Sequence, residues 1–208
     1  MTFSEALSIP RGITAIIGSG GKTSLMYRLA EELQGSVILC TSTLIFPPPH
    51  IPVAEETGKV TGVLCVGSPG PMGKLAPPKQ SFQELASLAD YVLVEADGSK
   101  HLPLKAHAPH EPVIPEASTL TVTLVGASGI GKPISEAVHR PELFYALTGS
   151  KIATPEAVAL ALEQEALGDL VVINQADSHP TEAAALARLL HSPVFTASLS
   201  KGEILCSY

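Results

Sequence analysis

The sequence predicts an α/β fold, with a mostly parallel sheet and crossover helices, and three observations predict it. Short apolar runs alternate with helical stretches on both sides of a proline-rich middle third. A glycine-rich loop lies between the first apolar run and the first helical stretch. Apolar residues make up 45% of the chain and charged residues only 16%, so a large buried core is available. With 208 residues, we expect residues 1–208 to form a single domain.

The first elements are predicted to be a strand, a helix and a strand. Residues 12–18 (GITAIIG) are apolar and bounded by glycine, residues 22–34 have helical spacing, and residues 36–40 (SVILC) are again apolar. Together they form a β-α-β unit, which is typical of a parallel sheet with crossover helices.

The middle third, residues 47–115, contains 12 of the 18 prolines, so we expect loops and short elements there. Within it, residues 59–68 are β-branched and interrupted by glycine, which predicts a β-hairpin or an edge strand. A short helix is expected at 81–89. Residues 91–94 form an apolar strand that becomes acidic at its end, as a buried strand does at the carboxyl edge of a sheet.

The last third returns to alternating strands and helices. We expect strands at 119–127, 169–174 and 193–198, and helices at 141–147, 155–165 and 180–190. Pro141, Pro155 and Pro180 suit the first turns of the three helices, and Thr154 suits the cap of the second.

The charge and hydropathy of the chain exclude several classes of function. A formal net charge of −7 argues against a nucleic-acid backbone or an anionic membrane as the main partner. No apolar run approaches the ~18 residues of a membrane helix. The start of the chain lacks the basic and apolar regions of a secretory signal, and Cys40, Cys65 and Cys206 form no CxxC pair, so we expect a cytoplasmic protein with reduced thiols.

The glycine-rich loop is the strongest functional motif. It comprises Gly18, Ser19, Gly20, Gly21, Lys22, Thr23 and Ser24. Glycines let successive N–H groups converge on an anion, the lysine reaches terminal phosphates, and the threonine hydroxyl ligates Mg²⁺. The full GxxxxGK[ST] pattern requires glycine where Ile16 stands, so this is a shortened loop, similar to the GTxGKT loop of the Mur ligases. The alternative is a glycine-rich turn that only begins a helix. The loop predicts a P-loop NTPase-like domain that binds Mg²⁺ with GTP or ATP.

Two carboxylates follow the acidic strand. Glu95 and Asp97 flank Ala96, so strand alternation places both on one side, near the loop, as in a Walker B strand. We expect Glu95 to contact the metal and Asp97 to contact water or substrate, although two carboxylates that cap a turn would look the same. Thr43 follows the second strand and is a further candidate for Mg²⁺, with a simple turn as the alternative.

The segment after the 169–174 strand resembles a base-reading motif. Asn174 and Asp177 match the ends of the NKxD pattern of G domains, with Gln175 in place of lysine, and residues 198–202 resemble the loop that accompanies it. Asp177 would accept from the guanine edge, whereas adenine offers no such donor pair. Guanine and adenine both remain open, because the pattern is short.

The loop at 98–112 contains three of the seven histidines and two lysines. Because prolines stiffen it near the nucleotide edge, it suggests a wall of a second-substrate site, with Lys105 and His110 binding an anionic group. A solvated loop is the alternative. Arg140 is a candidate phosphate or substrate contact, or else one half of a surface ion pair.

Five segments together resemble the YqeC family, described as accessory factors of selenium-dependent molybdenum hydroxylases. They are GSGGKTS, CTSTLIFPPP, VEADGSKHLPLKAHAPHEPVIP, the stretch ending GIGKPISEAVHRPE, and VVINQAD. The resemblance implies a P-loop nucleotide-binding protein that acts in maturation of a selenium-containing hydroxylase cofactor. The family-like features are Gly20, Gly21, Lys22, Thr23, Glu95, Asp97, Gly98, Lys105, His110, Glu111, His139 and Arg140.

The leading hypothesis is therefore an enzyme that binds Mg²⁺ with a purine nucleoside triphosphate and couples phosphate chemistry to that maturation. Its other partner would be a small selenium- or molybdenum-related substrate. One alternative is a non-catalytic, nucleotide-gated chaperone that delivers cofactor to a hydroxylase apoenzyme. Another is an ATP-dependent ligase with Mur-like phosphate chemistry, suggested by the shortened loop.

Overall fold

The computed structural model describes residues 1–208 and contains one large sheet. The strands are β1 (Gly12–Gly18), β2 (Val37–Thr41), β3 (Val53–Ala54), β4 (Val63–Val66), β5 (Ser68–Pro69), β6 (Leu75–Ala76), β7 (Tyr91–Glu95), β8 (Leu104–Lys105), β9 (Ser118–Gly126), β10 (Val138–His139), β11 (Leu170–Asn174), β12 (Val194–Ser198) and β13 (Glu203–Ser207). The helices are α1 (Phe3–Ala6), α2 (Lys22–Glu32), α3 (Phe82–Leu88), α4 (Ile134–Ala137), α5 (Pro141–Thr148), α6 (Pro155–Glu165) and α7 (Pro180–Ala187).

The nine-stranded sheet has the order β13-β12-β11-β9-β1-β7-β2-β4-β3. Every neighbouring pair is parallel except β12 with the last strand, β13. β1 lies at the centre, between β7 and β9, so the loop that follows it meets the carboxyl ends of both neighbours. This edge of an open α/β sheet is where ligands bind in such folds.

Helices cover both faces of the sheet, which explains why successive residues of its central strands β1 and β7 are buried. On one face, α1 and α2 pack on Ile16, Leu39, Leu93 and Leu124. On the other face, α3 packs on Val92 and its neighbours, and the C-terminal helices pack on alternate residues of β9 and β11. The α/β class with a mostly parallel sheet and crossover helices is confirmed.

The predicted elements outside the middle third lie within a few residues of the observed ones. Pro141, Pro155 and Pro180 each stand in the first turn of a helix. The Thr154 hydroxyl accepts a hydrogen bond from the Ala157 N–H at 3.2 Å, as a cap does. The short elements α1, α4 and β13 were not predicted.

The hairpin prediction needs a correction of place. The apolar part of residues 59–68 forms β4, which is a parallel strand between β2 and the short edge strand β3. The hairpin follows directly, where β5 pairs antiparallel with β6. The glycine expected to form the turn of the hairpin, Gly62, has a φ of +74° and directly precedes β4. None of the helices is both long enough and apolar enough to cross a membrane.

Candidate functional site

The glycine-rich loop connects β1 to α2 and packs tightly against the end of β9. Gly20 has a φ of +84°, and a Cβ atom there would lie 2.5 Å from the Cα atom of Gly126. Gly21 has a φ of +142°, and its Cβ would lie 2.6 Å from the side-chain nitrogen of Asn174. Only glycine therefore fits both positions without strain.

The loop presents backbone N–H groups that have no acceptor within the protein. The Gly18 N–H donates to Asp97 and the Ser19 N–H donates to the Leu124 carbonyl. The following N–H groups, from residue 20 to residue 24, donate to no protein acceptor, and no side chain caps the start of α2. Successive free N–H groups at a helix N-terminus form an anion-binding concavity.

Lys22 lies at the base of this concavity, with only 4% of its side chain exposed. Its ammonium group donates to the Gly18 carbonyl at 2.7 Å and to the Ser99 hydroxyl at 3.2 Å. It also forms an ion pair with Asp97 Oδ1 at 3.0 Å. The Ser19 hydroxyl donates to the Leu102 carbonyl, so residues 99–102 cover one side of the loop.

Asp97 is fully buried beneath the loop. Its Oδ2 atom accepts from the Gly18 N–H at 2.8 Å and contacts His107 Nε2 at 2.8 Å and Lys105 Nζ at 3.2 Å. Burial raises the pKa of Asp97, but the hydrogen bond to His107 and the charges of Lys22 and Lys105 outweigh it and hold that pKa at about 2. Both oxygens already face cations, which favours a structural contact to the loop over the expected contact to water.

Glu95 lies beside the start of α2, as the sequence predicted. The Thr23 hydroxyl donates to its Oε2 atom at 2.8 Å. Burial raises the pKa of Glu95, and the nearby charge of Lys22 and the hydrogen bond from Thr23 offset this only in part. A buried carboxylate that lacks full compensation gains from an added cation. Glu95 and Thr23 are hard oxygen donors, so this pair fits Mg²⁺.

Thr41 connects Thr43 to Glu95 by hydrogen bonds. The Thr41 hydroxyl donates to the backbone carbonyl of Glu95 at 2.8 Å and accepts from the Thr43 N–H at 3.0 Å. The hydroxyl oxygens of the two threonines are 3.3 Å apart. The predicted turn and the predicted hydroxyl at the carboxyl edge thus occur together. No group of three or more His, Cys, Asp or Glu side chains is arranged to hold a metal ion.

Lys105, Glu111 and Arg140 form a second charged group next to Asp97. Lys105 donates to Glu111 Oε2 at 2.7 Å and to the Gly98 carbonyl at 2.6 Å, and Arg140 Nη1 pairs with the same Glu111 oxygen. Burial raises the pKa of Glu111, but Arg140 and Lys105 outweigh it and hold that pKa at about 2.

The structure does not bring His110 into this group, because its side chain is exposed and makes no hydrogen bond or ion pair. His139 is half-buried opposite Lys105 in the β8–β10 pair. Burial, together with the charges of Arg140 and Lys105, lowers the pKa of His139.

Asn174 and Asp177 occupy different positions relative to the loop. Asn174 donates to the Gly20 carbonyl at 2.8 Å and accepts from the Leu199 N–H at 2.9 Å, so it joins the two loops. Asp177 pairs with Lys201 at 3.1 Å and is 14% exposed. The Gln175 side chain turns away from both and accepts from the Ser128 N–H at 3.3 Å.

Sequence reasoning missed the roles of Ser99, His107 and Glu165. His107 contacts Asp97 with one ring nitrogen and Glu165 with the other. Glu165 ends α6, and 58 residues separate it from His107 along the chain. The histidine-rich loop was a signal for His107, but nothing in the sequence pointed to its partner.

Comparisons with known proteins agree with the resemblance noted in the sequence. The family model described as YqeC protein matches residues 14–142. The protein named "Uncharacterized protein YqeC" from Escherichia coli (strain K12) is 34% identical over an alignment of 165 residues, and the alignment covers 70% of this chain. The match spans 62% of the length of that relative. No solved structure matches the chain significantly. Since the family model covers more than half of the chain and includes the loop, the acidic strand end and Arg140, the chain belongs to the YqeC family.

Proposed function

We propose that this protein binds a purine nucleoside triphosphate with Mg²⁺ at the loop of residues 18–24. In this proposal it couples phosphate chemistry to maturation of the cofactor of a selenium-dependent molybdenum hydroxylase. The observation that carries the nucleotide proposal is the row of free N–H groups from residue 20 to residue 24, with the Lys22 ammonium group beside it. The pathway rests on the family resemblance alone.

The free N–H groups and the positive end of α2 would bind the terminal phosphates, because both favour negative charge. Lys22 would contribute a charge-assisted contact once its ammonium group turns from Asp97 and Ser99 toward the phosphates. The short loop and its close packing on Gly126 hold the N–H groups in place before binding. Binding then requires little reorganisation of the backbone.

The metal would be held by Thr23 and Glu95, with Thr43 nearby. When bound, Mg²⁺ neutralises phosphate charge and polarises the phosphoryl group. Glu95 orients the Thr23 hydroxyl by accepting its hydrogen bond. The remaining Glu95 oxygen is able to accept from a water molecule or from a metal-bound water.

The second substrate would be a small selenium- or molybdenum-related anion near Arg140. Arg140 uses one nitrogen on Glu111 and is 20% exposed, so its other N–H groups are able to contact an anion. Lys105 is neutralised by Asp97 and Glu111, which favours Arg140 over Lys105 for this contact. His110 is exposed on the loop of residues 98–112 and remains a candidate contact to the same anion.

Isothermal titration calorimetry with Mg²⁺ and non-hydrolysable ATP or GTP analogues tests the binding site. We expect Lys22→Ala to weaken binding by about 1.5–3 kcal/mol, the size of a hydrogen bond to a charged group. The fold should persist, because Asp97 keeps Lys105 and His107. The matched control is Lys151→Ala, since Lys151 is exposed and its ammonium group makes no hydrogen bond or ion pair.

Equal affinities for wild type and Lys22→Ala would exclude the loop as the nucleotide site. A phosphate-release assay then separates the functional classes. Turnover by the protein alone, or with a small second substrate, favours an enzyme. Nucleotide binding with turnover only after a hydroxylase apoenzyme is added favours the chaperone.

A further inference from the structure

His107 lies between two carboxylates from distant parts of the chain. Its Nε2 atom is 2.8 Å from Asp97 Oδ2, and its Nδ1 atom is 2.7 Å from Glu165 Oε2. The His107 N–H donates to the other Glu165 oxygen at 2.7 Å. The three side chains are 5%, 0% and 10% exposed, so water contributes little to their solvation.

This geometry specifies the protonation state of the ring. An ionised carboxylate only accepts hydrogen bonds, so both ring nitrogens must donate, and the ring is then an imidazolium. Burial lowers the pKa of His107, but the hydrogen bonds to Asp97 and Glu165 outweigh it, and the net shift is upward.

Asp97 has three cationic neighbours. Lys22 faces its Oδ1 atom at 3.0 Å, whereas Lys105 and His107 face its Oδ2 atom at 3.2 and 2.8 Å. If Lys22 turns to a phosphate, Asp97 loses the partner of one oxygen while it stays buried. A buried carboxylate with too little compensation is strongly destabilising. Lys105 is shared with Glu111 and His107 with Glu165, and His107 makes the shorter contact to Asp97, 2.8 Å against 3.2 Å.

We propose that His107 and Glu165 are positioning residues of the phosphate site. His107 holds Asp97 against the Gly18 N–H and compensates its charge, so that Lys22 is free to contact phosphate, and Glu165 orients and charges the ring. The inference rests on the proposed nucleotide function. It extends that site to Glu165, the last residue of α6, which lies outside the glycine-rich loop.

The surroundings of His107 define the expected dependence on pH. The charged groups that face it are Asp97, Glu165 and, beyond Asp97, the ammonium groups of Lys22 and Lys105. β9, α5 and the rest of α6 present no charge to the small cavity beside the ring, which is lined there by Thr123, Leu124, Val125, Phe144, Val158, Ala161 and Leu162. Nucleotide affinity should therefore decrease as the pH rises through the pKa of His107.

The chain offers a matched control for the test. His191 Nδ1 contacts Glu163 Oε1, but this pair is exposed, with 89% of the His191 side chain in solvent. We would compare His107→Gln and Glu165→Gln with His191→Gln and Glu163→Gln. Glutamine keeps one hydrogen bond at each site and removes the charge, so it separates charge from packing.

Two measurements are made on each variant. Calorimetry with the non-hydrolysable nucleotide analogues and Mg²⁺ should show about tenfold weaker binding for His107→Gln at a pH below the pKa of His107, and a smaller difference from wild type at a pH above it. Amide hydrogen exchange without nucleotide should show faster exchange of the Gly18 N–H in both buried-pair variants. The exposed-pair variants should match wild type in both.

The outcomes separate this inference from the proposed function. A wild type that binds no nucleotide defeats the proposed function, and the Gly18 exchange then decides whether His107 positions the loop. Unchanged Gly18 exchange in both buried-pair variants overturns the inference. So does an affinity loss in His107→Gln that is the same below and above the pKa of His107, because it would reflect packing alone. If His107→Gln fails to fold, Glu165→Gln supplies the same comparisons.

Discussion

Only Ala96 separates Glu95 from Asp97, yet the structure places their carboxylates in different surroundings. Glu95 accepts from the Thr23 hydroxyl at the start of α2, where phosphate and metal would meet. Asp97 lies under the loop among Lys22, Lys105 and His107, and none of its surface is exposed. At the scale of single residues, the first carboxylate therefore contacts the start of α2 and the second holds the loop from below.

Substitution at these two positions should separate turnover from stability. We expect Glu95→Gln to reduce phosphate release by about 10²-fold while nucleotide affinity changes little, because it removes a group that acts in the reaction. Asp97→Asn should lower the free energy of unfolding by about 3–5 kcal/mol, because three buried cations lose their common partner. Phosphate-release kinetics and chemical denaturation measure the two effects. Wild-type turnover in both variants would contradict any role of this strand end in phosphate chemistry.

At the scale of elements, the loop after β11 is connected to the phosphate loop. Asn174 donates to the Gly20 carbonyl, so the segment that contains Asp177 is held next to the loop of residues 18–24. Asp177 pairs with Lys201 in the loop after β12. The Gln175 side chain turns toward Ser128, and the base-reading role of Asn174 and Asp177 stays a prediction.

Nucleotide choice tests this element. If Asp177 reads a guanine edge, GTP should bind about 1–3 kcal/mol more tightly than ATP. Asp177→Asn should then shift the preference toward xanthosine triphosphate, because the new amide donates to the C2 carbonyl of xanthine. Lys201→Ala is the matched control, since it removes the ion-pair partner and leaves the carboxylate. Competition titrations measure all three proteins, and an ATP preference that survives Asp177→Asn would defeat the guanine interpretation.

At the scale of the whole molecule, Glu111 joins separate parts of the fold. It pairs with Lys105 on β8 and with Arg140 at the start of α5, so it connects the middle third of the chain to the C-terminal helices. Its pKa of about 2 in the folded state is below its ordinary value of 4.5. A lowered pKa means that ionised Glu111 stabilises the fold above pH ~4.5 and that this contribution is lost as the pH falls toward 2.

Acid unfolding checks this contribution. We expect Glu111→Gln to cost about 1.5–3 kcal/mol at pH 7, and the difference from wild type to shrink steadily below pH 4.5. The control is Glu116→Gln, since the Glu116 side chain is exposed and unpaired. Denaturant titrations at several pH values give the free energies. A difference that stays constant down to pH 3 would show that the effect comes from packing and not from charge.

The amino-acid sequence by itself determined the class of fold, most strands and helices, the glycine-rich loop, the acidic strand end and the family. These features are local: an apolar run of strand length, a proline in a first turn, or glycine before lysine and threonine each depends on neighbours in the chain. The resemblance to the YqeC family covers several long segments, so the sequence alone was enough to identify the family. The position of the hairpin was predicted only approximately. Glycines flank both β4 and the hairpin strands that follow it, so the sequence pattern does not show which segment turns back on itself.

The tertiary structure decided which side chains meet. His107 and Glu165 are 58 residues apart, and Asn174 lies 154 residues from the Gly20 carbonyl that it contacts. Strand order brought Asn174 to the loop, since β9 lies between β1 and β11 and Asn174 is the register partner of Gly126. Glu165 reaches His107 from the end of α6. Surroundings then decided how the carboxylates titrate. Asp97 is enclosed by cations and its pKa is lowered, whereas Glu95 accepts from a hydroxyl and its pKa is raised, although the two residues are two positions apart.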